Sequence, residues 1–391
     1  MPCATQKMLI NFLLFFSTFF NDPVNCFVPG KIIDYVISES STNAGQDIGR
    51  ISETITHEQI LERGLGKSIT KFFYDQTDGP NRINLTKITN HYQDIRNIYA
   101  DYYGKTVCTP KVSDIITVLL GPNVALVDLD PLTKDLPYAH FDAEKFNESN
   151  TRVMNFTNFI YFYLDLKDYE KALELSGQIM HTIHDFYSHS NWVEMGNVDR
   201  INRAIGTQDL YSMPIADEKD AETCLSNCEL IETPCSTFTQ SVIDFLKLLE
   251  LTSALFECPI RYYKCKSNLA EFDKLVSGYY TGQKLSDGTP VPKPSNLLKC
   301  SHGGLIDVDS ILLEPTGGIN KDSGYYLFSP RADLHLVAAH LAINHTEYFF
   351  DQIRQKIGDQ EFDKFLDLTY SSIELSRIPD NVTFLKMPNL R

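Results

Sequence analysis

The sequence predicts a mainly α-helical domain with a disulfide-stapled, loop-rich insertion, and three observations predict it. Apolar residues recur at helical spacing over several long stretches. Cysteines crowd between Cys224 and Cys300, and periodicity vanishes from Tyr279 to Pro330, where Gly, Pro, Ser and Asp dominate. Once an N-terminal leader is removed, the chain is long enough for one large domain or two.

The leader reads as a secretory signal over residues 1–26. Lys7 precedes an apolar run from Met8 to Phe20, and Asn21-Asp22-Pro23 follow. That run is too short to span a bilayer, and no second run of sufficient length is expected, since Phe156–Leu166 is interrupted by Asn158 and Asp165. Cleavage after Cys26 would start the mature chain near Phe27. Thr56 opens the first helix, with Gln59 as its capping-box partner and Ile60, Leu61, Leu65 and Ile69 on the apolar face. A second helix is expected from Leu85 to Tyr103. Asp142–Leu164 and Tyr169–His189 read as an antiparallel pair, and apolar positions recur from Ser241 to Phe256. The last strong helix opens at Ser329-Pro330 and stops at Gly358. No internal repeat is visible.

Past the leader the cysteines are 108, 224, 228, 235, 258, 265 and 300. In an oxidising compartment they read as disulfides. Zinc binding by Cys224-x-x-x-Cys228 is the alternative, without a matching second pair. N-glycosylation sequons at Asn84, Asn147, Asn155, Asn344 and Asn381 fit the same compartment. The formal net charge of −16, spread along the chain, argues against nucleic acid or anionic membranes as partners.

The segment from His181 to Glu194 concentrates the chemistry. His181, Asp185 and His189 sit at i, i+4 and i+8, about 40° apart around a helix, so they share one face. A buried carboxylate between two imidazoles requires a positive partner, and zinc supplies one. His184 points about 60° the other way and reads as packing or support. His140, Asp142 and Glu144 stand at i, i+2 and i+4 before a helix, where Asp142 also reads as a cap. His57 falls at a helix start, where the dipole favours the neutral ring that a metal needs. In the last helix His335 is a candidate ligand, whereas His345, inside a sequon, is expected to be exposed. Cys300-Ser301-His302 reads as a disulfide end, and Asp307-x-Asp309-Ser310 as a capped turn. Nucleophile elbows, phosphate-binding glycine loops and dinucleotide fingerprints do not occur.

Three segments carry a family resemblance: Thr56-His57-Glu58-Gln59-Ile60, Ala139-His140-Phe141-Asp142-Ala143-Glu144 and the His181–Glu194 stretch. They resemble the N-terminal region of the von Willebrand factor A domain-containing protein 7 family and fungal heterokaryon-incompatibility HET-C proteins. Gly317–Asp322 and Ser329-Pro330 fit the same pattern. The resemblance implies a helical HET-C-like domain over residues 27–370, with its cysteine-rich and loop-rich part at about 220–330 and a tail at 371–391.

The order of motifs is more distantly similar to zinc-dependent phospholipase C and single-strand nucleases. That likeness implies a helical fold with His57, His140, His181, Asp185 and His189 as zinc ligands. Those enzymes also use an N-terminal Trp and a later His-x-x-x-Glu pair. Here the single Trp is Trp192 and no such pair exists, leaving Glu194 or His335 as substitutes. The expected function is therefore a secreted, zinc-holding binding or structural module with an extracellular partner. A metal-dependent phosphoester hydrolase is the alternative.

Overall fold

A computed structural model describes residues 49–76, 95–104, 110–217, 219–235, 258–270 and 273–377. The leader, the sequons at Asn84 and Asn381, Cys108 and the helix expected over 241–256 lie outside these residues.

Helix α1 spans His57–Asp75 and starts as its capping box requires. The Thr56 hydroxyl accepts from the Gln59 amide, and the Gln59 side chain accepts from the Thr56 amide at 2.9 Å. This places His57 at the first helical position. Helix α2, Ile95–Tyr103, is the described part of the second expected helix.

Helix α3, Lys111–Leu129, was not expected. It widens to a π-helix over Ile116–Leu120 and continues through Gly121–Leu129. By length and composition it could cross a membrane, contrary to the expectation that no second run would be long enough. In the fold its buried side, including Val124 and Asp128, packs on the central helix.

Helix α4, Phe146–Asp165, begins later than Asp142. Phe141, Ala143 and Glu144 have φ of 55°, 50° and 56°, so the chain turns here, and Lys145 rather than Asp142 holds the N-cap position. Helix α5, Tyr169–His189, has the expected bounds, with Asp168 accepting from the Lys171 amide at 3.1 Å. Every residue from Ile179 to His189 is buried, so α5 is the central helix, enclosed by α3, α4 and the long helix of the C-terminal part.

The loop-rich lobe follows. Strands β1, Glu229–Thr233, and β2, Ile260–Lys264, pair antiparallel, and they form the one sheet with named strands among the described residues. Disulfides join Cys224 to Cys300, Cys228 to Cys265 and Cys235 to Cys258. The zinc alternative for Cys224 and Cys228 is therefore excluded, because each thiol is already bonded. A short helix α6, Asp309–Leu312, lies in this lobe. The lobe docks on the end of α5, where the Asn191 amide meets the Val276 carbonyl at 3.0 Å and the Lys321 amide meets the Ser188 carbonyl at 3.1 Å.

Helix α7 spans His335–Ile357, preceded by a 3-10 turn at Ala332–Leu334, so Ser329-Pro330 lies a turn upstream of the helix instead of capping it. Gly358, at φ 81°, ends α7 as expected. Helices α8, Asp359–Leu366, and α9, Ser372–Arg377, complete the described chain.

Two glycines set helix spacing around the site. A Cβ on Gly64 of α1 would lie 2.4 Å from Thr346 Cβ and 2.7 Å from the Ile343 carbonyl oxygen of α7. A Cβ on Gly177 of α5 would lie 2.7 Å from the Leu120 carbonyl oxygen of α3. Without side chains at these positions, α1 meets α7 and α3 meets α5 backbone to backbone.

Candidate metal centre

The polar face of α5 collects two connected sets of donors. The first gathers around His181 and Asp185. Asp185 Oδ2 lies 3.0 Å from His181 Nε2 and 2.9 Å from His140 Nδ1, while its Oδ1 lies 3.2 Å from His57 Nε2. Asp128 of α3 brings Oδ1 to 3.2 Å from His181 Nε2. The second set gathers around His189, one turn further along. His189 Nδ1 is 3.1 Å from Asp142 Oδ1, and its Nε2 is 3.0 Å from Asp322 Oδ1. His302 Nε2 lies 3.1 Å from His189 Nε2 and 3.3 Å from Asp322 Oδ2. Asp185 Oδ1, 4.0 Å from His189 Nε2, stands between the two sets.

In four of the rings the outer nitrogen fixes the tautomer, because a carbonyl oxygen can only accept. His181 Nδ1 donates to the Val124 carbonyl at 2.9 Å, and His140 Nε2 to the Thr133 carbonyl at 3.3 Å. His189 Nδ1 donates to the His140 carbonyl and His302 Nδ1 to the Gly303 carbonyl, each at 2.9 Å. In the neutral rings this leaves four inner lone pairs facing carboxylates and one another. Among the described residues nothing donates a hydrogen bond to the buried oxygens Asp128 Oδ1 and Asp185 Oδ1, which face these lone pairs. Lone pairs directed at anions repel unless a proton or a cation sits between them.

Electrostatics follow the same logic. Burial resists charge on His181, but Asp128 and Asp185 overcome it and hold the ring up to about 10. Burial works against the ionised form of Asp185 too, yet His181 and His189 keep it well below the usual carboxylate range. Asp322 is likewise held low against its burial, first by His189. Burial and the neighbouring His181 push His57 down, so its ring stays neutral. No donor is more than 5% exposed. Nitrogen and carboxylate donors of this number and closeness fit a divalent transition metal such as zinc, held through ring nitrogens whose outer N–H groups are already anchored.

The structure thus brings His57, His140, His181, Asp185, His189 and Asp142 together. Glu194 and His335 are engaged elsewhere. Glu194 Oε1 pairs with Lys321 at 3.0 Å and Arg331 at 3.2 Å. His335 donates from Nδ1 to the Lys321 carbonyl at 2.7 Å and accepts from the Ile55 amide at 2.8 Å, so both nitrogens serve the backbone. Asp142 is a cluster carboxylate instead of a helix cap. His345 is buried rather than exposed, with Nδ1 hydrogen-bonded to Tyr187 Oη at 2.6 Å. Asn344 accepts from Lys67 at 2.8 Å, and Thr346 of the same sequon is fully buried, whereas Asn147 and Asn155 are exposed on α4.

Sequence reasoning missed Asp128, His302 and Asp322. The Asp322 segment was visible only as part of a family pattern. His302 stood beside a cysteine that does form a disulfide, which hid its second use.

Fold and site define a helical, disulfide-stapled domain built around a buried histidine–carboxylate cluster able to hold metal ions. The sequence matches the family described as VWA7 N-terminal domain over residues 93–266 and 256–363, and the chain belongs to that family. It is 29% identical over 327 residues to von Willebrand factor A domain-containing protein 7 of Mus musculus. Against the protein of that name from Homo sapiens it is 30% identical over 325 residues. Each comparison covers 82% of this chain and 31% of the relative, so the chain spans about a third of the length of these curated relatives. No solved structure matches.

Proposed function

We propose that this chain is a secreted module in which zinc fastens the helical body to the disulfide lobe. The domain then serves as a rigid binding or structural unit with an extracellular partner. One observation carries this reading: the rings turn their inner nitrogens onto carboxylates while no donor is more than 5% exposed. The cluster carboxylates Asp128, Asp142, Asp185 and Asp322 sum to four negative charges, which two divalent ions balance. His57, His140, His181, Asp128 and Asp185 would hold one ion, and Asp142, His189, His302 and Asp322 the other. A closed site saturated with protein ligands is the structural type. The three disulfides, the exposed sequons at Asn147 and Asn155 and the signal-like leader support secretion.

A second reading, a metal-dependent phosphoester hydrolase, draws on Asp185 standing between two donor sets, the arrangement of two-metal sites. The test is elemental analysis of freshly purified secreted protein beside Asp185→Asn. The proposal expects zinc in the wild type and its loss in the variant, and metal-free wild type refutes it. Turnover of phosphodiesters or phospholipids by the zinc-loaded protein would favour the second reading.

A further inference from the structure

His57 is the one ring in the first donor set whose outer nitrogen meets another histidine instead of a carbonyl. Its Nδ1 lies 3.0 Å from His184 Nδ1, and either nitrogen could donate. The neighbours of His184 remove the ambiguity. His184 Nε2 lies 2.9 Å from Thr346 Oγ1, and Thr346 gives its only hydroxyl proton to the Ala342 carbonyl at 3.0 Å. Thr346 must therefore accept, so His184 carries its proton on Nε2. Among the described residues no carboxylate is hydrogen-bonded to His184, which is 1% exposed, so the ring is neutral and its Nδ1 accepts. His57 then donates from Nδ1 and presents the bare Nε2 lone pair to Asp185 Oδ1 at 3.2 Å.

We infer that Thr346 and His184 form a relay that selects the ring nitrogen His57 offers to the metal, making both positioning residues for a centre that Thr346 never touches. The inference rests on the metal-binding reading above. Thr346 stands on α7 where Gly64 lets that helix approach α1, the helix that carries His57, closely. A rotated or retautomerised His57 would turn an N–H toward the ion and cease to be a ligand. The hydroxyl of Thr346 thus has a purpose that its place in the Asn344 sequon does not explain.

The test compares zinc affinity of the full chain with that of Thr346→Val, Thr346→Ser and Asn344→Gln. Val keeps the shape but cannot accept, and binding is expected to weaken about 10–100-fold, the usual effect of losing an outer-shell partner. Ser restores affinity, and Asn344→Gln, which removes the sequon but keeps Thr346, leaves it unchanged. Equal affinity for Val and wild type overturns the relay, as does failure of Ser to restore it. Long-range proton–nitrogen NMR of the wild type gives an answer independent of any variant's folding. It should show His184 protonated on Nε2 and His57 on Nδ1, and the reverse pattern overturns the inference. Wild type that binds no zinc would defeat the metal reading while the NMR pattern still decides the relay.

Discussion

Two glycines on one turn of α1 should respond oppositely to the same methyl group. A Cβ on Gly66 would find its nearest neighbours at 3.8 Å, the Ile95 side chain, and 3.9 Å, the Ile98 side chain, which is ordinary contact. Gly66→Ala should therefore gain the helix preference of Ala, about 0.5–1 kcal/mol. A Cβ on Gly64 would stand 2.4 Å from Thr346 Cβ and 2.7 Å from a backbone oxygen of α7, a Cβ and a carbonyl that cannot rotate away. The helices would have to separate by roughly 1 Å, and such overpacking costs about 1–3 kcal/mol, more than the helix preference returns. The same separation must disturb either the Thr346–His184 or the His184–His57 contact, so zinc affinity should fall with stability. Denaturant unfolding of both variants, with zinc titrations alongside, provides the assay. Gly64→Ala as stable as Gly66→Ala would refute the claim that this contact sets the helix spacing.

Other outcomes follow from the same geometry. Because His181 is held up to about 10, it carries a proton in the metal-free protein at neutral pH. Zinc must displace that proton, so affinity should rise with pH, and calorimetry in two buffers should detect release of about one proton. Burial pushes His345 down to about 3, so this ring stays neutral in the folded state while its unfolded counterpart takes up a proton near 6.5. Stability should be complete above that value and decline as pH falls toward 3, by at most roughly 5 kcal/mol from this ring. His345→Gln, followed by acid unfolding, should flatten that decline. On the proposed two-ion centre, His302→Ala should lose one ion, whereas His335→Ala should keep both and lose about 1–3 kcal/mol for the stranded backbone groups; elemental analysis with thermal melts separates the two effects.

What the sequence made legible was local. His181, Asp185 and His189 are related by helix geometry alone, and Thr56 with Gln59 fixed the start of α1 and hence His57. Asp128 was invisible because it lies in an apolar helix where nothing marks it, and only the approach of α3 at Gly177 delivers it to His181. His302 and Asp322 reach the centre through long-range closure of the disulfide lobe, which spacing cannot report. The start of α4 was misplaced because the left-handed turns at Phe141, Ala143 and Glu144 occur at residues that do not advertise them.

The division of donors between the helical body and the stapled lobe bears on how the protein can be dissected. His57, Asp128 and His181 come from helices of the body, whereas His302 and Asp322 come from the lobe. A boundary drawn between the two would divide the second donor set, leaving His189 on the central helix without Asp322 and His302. A fragment that is to keep the second donor set intact must carry both the body and the lobe.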